Sequence, residues 1–165
     1  MTELENLIDL RKNQIFLLGS PLPIPVNFAY HTWIVTNKEG DLNRWEVWPF
    51  QYCCETSWGH VHLNLFNLFE GMRVFPYGRI KKFPTSLIGK VDDEEISQKV
   101  INFLYENAPF YENSNKYRYF PGPNSNTFVQ WILNKFPESN LILPNRALGK
   151  DYKLITDSRS SPFSA

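Results

Sequence analysis

The sequence predicts an α+β domain, a small antiparallel sheet with two main helices. Three observations carry that expectation. Residues 29–37 and 43–49 are rich in Trp, Val, Ile and Thr and flank Lys38-Glu39-Gly40-Asp41-Leu42, the pattern of a β-hairpin. Asp92-Asp93-Glu94-Glu95 places acids where a helix dipole favours them, and Ile96, Val100, Phe103 and Leu104 follow at helical spacing. In Pro121-Gly122-Pro123-Asn124-Ser125-Asn126-Thr127-Phe128, helix breakers give way to capping residues. Phe128, Trp131, Ile132 and Phe136 then repeat with the helical period.

Taken in order, residues 3–12 hold one or two short helical turns, and residues 14–19 read as a short buried strand. Residues 20–25 must run extended, because each residue before a proline is pushed out of the helical region. Along the first hairpin strand side chains alternate, so His31, Trp33 and Val35 share one face and Tyr30, Thr32 and Ile34 the other. Residues 60–66 and 73–77 carry fainter strand patterns. Pro109 ends the first helix, and a polar loop, Asn113-Ser114-Asn115-Lys116, follows. The second helix, about residues 126–136, is closed by Pro137. Residues 138–152 form a docked irregular tail, and residues 153–165 a frayed, flexible end. Residues 1–152 are therefore expected to make one domain, without repeats or a linker.

Composition narrows the function classes. The 165 residues include 13 Phe, 8 Tyr and 5 Trp, so the core and any groove should be aromatic-rich. The 17 basic and 17 acidic residues balance, and a nucleic-acid partner is not expected, since such a footprint shows as a basic excess or patch. Arg79, Lys81, Lys82 and Lys90 read as a solvated face. The apolar runs are too short for a membrane span. The acidic start, Met1-Thr2-Glu3-Leu4-Glu5, lacks the basic region of a signal peptide. Cys53 and Cys54 are adjacent, a spacing that strains a mutual bridge, and a reducing, cytoplasmic setting is the simplest expectation. No cofactor is expected.

The candidate site is the start of the second helix. Asn124, Ser125, Asn126 and Thr127 stand at its mouth, beside unpaired backbone N–H groups and the positive end of the helix dipole. The plain reading is an N-cap, although four such residues behind Pro-Gly-Pro exceed what a cap needs. In the functional reading Ser125 is a nucleophile or ligand contact, and Asn124, Asn126 and Thr127 help to bind. His31 is the general base or orients a ligand, with Glu46 on the partner strand as its own orienter. Arg118 either holds an anion or pins the loop. Asp151 docks the tail, through Arg146 or Lys150, or orients the site. His60 and His62 with Cys53 or Cys54 have the donor types of a zinc site, but their spacing matches no standard ligand pattern. Exposed strand positions, or one of them approaching Ser125 in place of His31, are the other readings.

The stretch Tyr117-Arg118-Tyr119-Phe120-Pro121-Gly122-Pro123-Asn124-Ser125-Asn126-Thr127-Phe128 resembles the signature of an uncharacterised bacterial family, a numbered domain of unknown function. His31-Thr32-Trp33-Ile34-Val35 and Trp45-Glu46-Val47 resemble its early strands. Leu143-Pro144 and Ala147-Leu148-Gly149-Lys150-Asp151-Tyr152 resemble its C-terminal motif. The resemblance spans about residues 29–152 and implies no activity, since that family has none established.

A remoter resemblance bears on mechanism. Circularly permuted papain-like hydrolases, of the NlpC, lecithin-retinol-acyltransferase-like and deubiquitinating types, have a His on an early strand. Much later comes a helix opening with Asn-Cys, followed by Phe. Here the order is His31, then Asn124-Ser125-Asn126-Thr127-Phe128, with Ser125 in the place of the catalytic Cys. The resemblance implies acyl transfer, an amide or ester being attacked by Ser125 with His31 as base. A hydroxyl, unlike a thiol, is not ionised by a helix N-terminus, so it needs that base and an oxyanion hole. The expectations are thus a hydrolase acting on a small molecule or peptide, a module that only binds one, or a structural module in which Asn124–Thr127 merely cap a helix.

Overall fold

The computed structural model describes residues 3–74 and 79–152. Its strands are β1 (Asn13–Pro21), β2 (Tyr30–Lys38), β3 (Asp41–Val47), β4 (Ser57–Trp58), β5 (Val61–Leu63), β6 (Arg73–Val74), β7 (Lys81–Lys82) and β8 (Ser86–Val91). Six form one sheet in the order β4-β5-β3-β2-β1-β8, while β6 and β7 make a separate ribbon. Every pairing in the main sheet is antiparallel. Two main helices, α1 (Glu94–Asn107) and α2 (Ser125–Lys135), complete an α+β fold.

The hairpin forms where the sequence placed it. Ile34 pairs with Trp45 and Lys38 with Asp41. Glu39 and Gly40 turn the chain with φ of 48° and 95°, the conformation that a tight hairpin turn demands. α1 starts at Asp93, whose carboxylate accepts the Ile96 N–H, satisfying one orphan donor of the first turn.

β1 carries the centre of the molecule. Ile15, Phe16, Leu17 and Leu18 are all fully buried, because both faces of the sheet are covered. Ile15, Leu17, Ile34 and Trp45 pack against Val100, Ile101 and Leu104 of α1 and Phe128, Val129 and Ile132 of α2. On the other face Phe16, Leu18, Trp33 and Val35 lie under Leu4, Leu7, Ile8, Leu68 and Phe69. A helix layer and an irregular layer thus sandwich the sheet, which is why the run at residues 15–18 does not alternate.

Several boundaries differ from expectation. The N-terminal segment makes a single 3-10 turn, Glu5–Leu7. The strand expected at residues 60–66 shrinks to β5, because Gly59 turns the chain just before it and Asn64 just after it, with φ of 61° and 59°. Of residues 73–77, Arg73–Val74 form β6 and the rest lie outside the described residues. The edge strand β8 was not anticipated. The frayed end expected at residues 153–165 lies outside the described residues.

Candidate functional site

The start of α2 is a junction of three chain segments. Asn124 is the N-cap: its side-chain oxygen accepts the N–H groups of Asn126 and Thr127, at 3.0 and 3.2 Å. Thr127 answers by accepting the Asn124 N–H at 3.1 Å, which closes a capping box. Neither residue stops at the helix. The Asn124 amide donates to the carbonyls of Tyr119 and Leu148, and the Thr127 hydroxyl donates to the Gly149 carbonyl at 2.7 Å. Asn126 donates to the carbonyls of Tyr30 and Leu148, at 2.9 and 2.8 Å. Its side-chain oxygen accepts the Thr32 hydroxyl hydrogen at 2.7 Å. Three side chains therefore bind the helix to strand β2, to the loop before it and to the tail.

Two glycines make that closeness workable. Gly149 has φ of 92°, and a Cβ there would press into the Asn124 amide. Gly122 has φ of 121°, and a Cβ there would meet the Thr127 hydroxyl at 2.8 Å. Side-chain-bearing residues rarely adopt either conformation.

Ser125 differs from its neighbours. It is 4% exposed, and among the described residues its hydroxyl has no hydrogen-bond partner. No hydrogen bond joins it to His31. Thr32 points at α2, so alternation turns His31 to the other face of β2, where its ring stacks on Trp33 at 5.6 Å and meets Trp48 at 4.8 Å. The expected pairing of His31 with Glu46 is present there. The His31 Nε2–H donates to Glu46 Oε2 at 3.2 Å, and the same oxygen accepts from Arg44 at 2.8 Å and Trp48 at 2.5 Å.

This is a buried charged cluster. Arg44 and Glu46 are 1% and 0% exposed, and the Arg44 guanidinium lies 4.2 Å from the Trp33 ring. Its Nη1 donates to the carbonyls of Asn67 and Glu70, so Arg44 also pins the loop that covers this face. Burial would raise the Glu46 pKa, but the His31 and Arg44 contacts outweigh it and hold the carboxyl below its ordinary value. Burial lowers the His31 pKa, with Glu46 opposing, so the ring is held neutral. Among the described residues, Glu46 Oε1 and Arg44 Nε are buried without a partner.

The remaining candidates fall elsewhere. Arg118 has an exposed side chain, and only its backbone N–H, bonded to the Pro123 carbonyl at 2.8 Å, serves the loop. Asp151 is exposed and pairs with neither Arg146 nor Lys150. Arg146 instead donates to the Phe28 carbonyl, and Lys150 to the Leu143 carbonyl. His60 and His62 are buried, not exposed. His60 is bonded to the Trp48 carbonyl, and His62 to Ser57 and the Phe50 carbonyl. Among the described residues no three of His, Cys, Asp and Glu are grouped to hold a metal. No helix among them is long and apolar enough to cross a membrane. Sequence reasoning missed Arg44, Thr32 and Ser57. Arg44 alone left a signal, as a long cation between Asn43 and Trp45 in an otherwise buried strand.

The chain is thus an α+β protein in which the signature, strand β2 and the tail meet at one helix start. It belongs to the family described as "Protein of unknown function (DUF3750)", whose model matches residues 20–152. No curated protein and no solved structure matches the chain.

Proposed function

We propose that this domain is a non-catalytic binding module of permuted papain-like layout, in which the signature serves as a structural junction. The observation that carries this reading is the commitment of Asn124, Asn126 and Thr127. Their side chains bond carbonyls, N–H groups and the Thr32 hydroxyl, and each lies 5% exposed or less. Side chains so engaged are not available to a ligand. The junction instead holds two loops in place. Tyr119 and Phe120 are 74% and 71% exposed on the loop that Asn124 anchors, and Phe28 is 60% exposed on a loop that Arg146 anchors. Exposed aromatics on anchored loops suit a small molecule or peptide with apolar groups.

The second reading is a Ser/His hydrolase acting on an amide or ester. It is favoured by the Ser125 hydroxyl at the first turn of α2, which has no hydrogen-bond partner among the described residues, and opposed by the His31–Glu46 pair, which faces the other side of β2. Hydrolysis of p-nitrophenyl acetate by the wild type and by Ser125→Ala separates the two. Equal rates support the binding module, and hydrolysis that disappears in Ser125→Ala supports the hydrolase. For the module, fluorescence enhancement of anilinonaphthalene sulfonate should fall when Tyr119 and Phe120 are both replaced by Ser.

A further inference from the structure

A second group of reactive side chains lies at the far edge of the sheet, and the junction does not use it. Ser57 of β4 pairs with His62 of β5, and the Ser57 Oγ stands 2.7 Å from His62 Nδ1. The other ring nitrogen lies 2.9 Å from the Phe50 carbonyl, which only accepts. Nε2 therefore carries the proton, and Nδ1 is the acceptor for the Ser57 hydroxyl. On the other side of Ser57 comes Cys54, its Sγ 3.0 Å from the Ser57 Oγ and its backbone N–H donating to the same oxygen at 3.1 Å. Three side chains thus form a directed chain, S–H to O–H to N.

We propose that Cys54 is a reactive thiol, the nucleophilic end of a Cys54–Ser57–His62 proton relay, and a modification site for hydroperoxides and other soft electrophiles. The Cys54 proton passes to the Ser57 Oγ while the Ser57 proton passes to His62 Nδ1. The products are a thiolate, a hydroxyl that donates to it, and an imidazolium held by Phe50. With a hydroperoxide the thiolate attacks the terminal oxygen. An S–O bond forms, the O–O bond breaks, and sulfur is oxidised to a sulfenic acid while the peroxide is reduced. The departing alkoxide takes the proton stored on His62, which returns the imidazole to its neutral form and leaves Cys54 as the sulfenic acid.

The surroundings are consistent with this role. Ser57 and His62 are 9% and 0% exposed, so the relay is shielded, whereas Cys54 is partly exposed and reachable. Burial opposes the thiolate, and the hydrogen bonds from Ser57 and Thr56 outweigh it, leaving the Cys54 thiol below its ordinary pKa. The charged and titratable neighbours are Glu46, across from His62 on β3, then His60, and Glu55 beside Cys54 in the chain. Burial is the largest influence on His62 and opposes the imidazolium, as does His60, so the ring rests neutral and takes the proton only in transit; the Phe50 carbonyl and Glu46 favour the imidazolium, and Glu46 opposes the thiolate. Cys53, one residue away, has its thiol near the Gln51 carbonyl only, among the described residues, and lacks the relay.

Cys53 is the more exposed of the two thiols, so exposure and the relay predict opposite orders of reactivity. The test is alkylation by iodoacetamide near neutral pH in Cys53→Ser, which leaves Cys54, and in Cys54→Ser, which leaves Cys53. Cys54 should react several-fold faster, because the relay gives it the larger thiolate fraction near neutral pH. Adding Ser57→Ala to Cys53→Ser should remove that advantage, with unchanged circular dichroism showing that the fold survives. Dimedone should trap a sulfenic acid on Cys54 after hydrogen peroxide. The proposal is overturned if Cys53 reacts as fast as Cys54, or if Ser57→Ala leaves the Cys54 rate unchanged.

Discussion

Asn126 and Thr32 are joined by a hydrogen bond of 2.7 Å between the signature and strand β2. Each is the residue immediately after a candidate catalytic group, Ser125 in one case and His31 in the other. The two motifs therefore do meet, but through the neighbours of the expected dyad. Thr32 reaches towards α2, and His31, by strand alternation, is committed to Glu46 on the other face.

The buried ion cluster should be the most sensitive polar feature of the fold. Arg44→Ala leaves Glu46 in the interior without its cation and frees the carbonyls of Asn67 and Glu70. A loss of about 3–5 kcal/mol is expected, the usual cost of breaking a buried pair. Urea unfolding of the variant measures it.

Stability should fall on mild acidification. Burial depresses the pKa values of His31 and His62 below 6.5, against the pull of Glu46, so the folded protein keeps both rings neutral. The unfolded chain binds protons first as pH falls. The histidine contribution is therefore full above about pH 6.5 and is lost as pH drops towards the depressed folded values. Glu46, also depressed, adds a second loss below its ordinary value of 4.5. Unfolding free energies measured from about pH 7.5 to about pH 5 should decline, and His31→Gln should flatten the curve.

Gly149→Ala should damage the junction from the tail side. The new methyl would enter the Asn124 amide, and the backbone there has φ of 92°. A loss of about 2 kcal/mol or more is expected from strain and displaced hydrogen bonds together. Gly122→Ala, at φ of 121°, should behave similarly. Gly40→Ala, whose Cβ meets nothing closer than 3.4 Å, should cost less. Thermal melts of the three variants rank them.

How much of this was legible in the sequence depended on whether the signal was local. The hairpin was readable because Glu39-Gly40 lies between two β-rich runs, and both helix starts because Asp93 and Asn124 are capping residues. Glu46 was placed beside His31 because the hairpin fixes the two strands together. β8 escaped because Ser86–Val91 mixes Ser, Gly and Lys with apolar residues without alternation, as an edge strand with an exposed side can. Alternation separated His31 from Thr32 correctly, but nothing local says which face a helix almost a hundred residues away will cover. The Ser57–His62 pair was hidden for the same reason. It depends on the register of two very short strands around a turn at Gly59.

The central claim is that the signature is a junction, and equilibrium unfolding of Asn126→Ala beside Ser125→Ala tests it most directly. Asn126→Ala strips partners from Thr32 and from the Tyr30 carbonyl, and leaves the Leu148 carbonyl with Asn124 alone. It should lose about 3 kcal/mol, since buried groups left unsatisfied cost roughly 1–3 kcal/mol each. Ser125→Ala removes a hydroxyl that bonds nothing among the described residues and should stay within about 1 kcal/mol of the wild type. Unchanged stability in Asn126→Ala would contradict the account and return these residues to the role of an open binding or catalytic site.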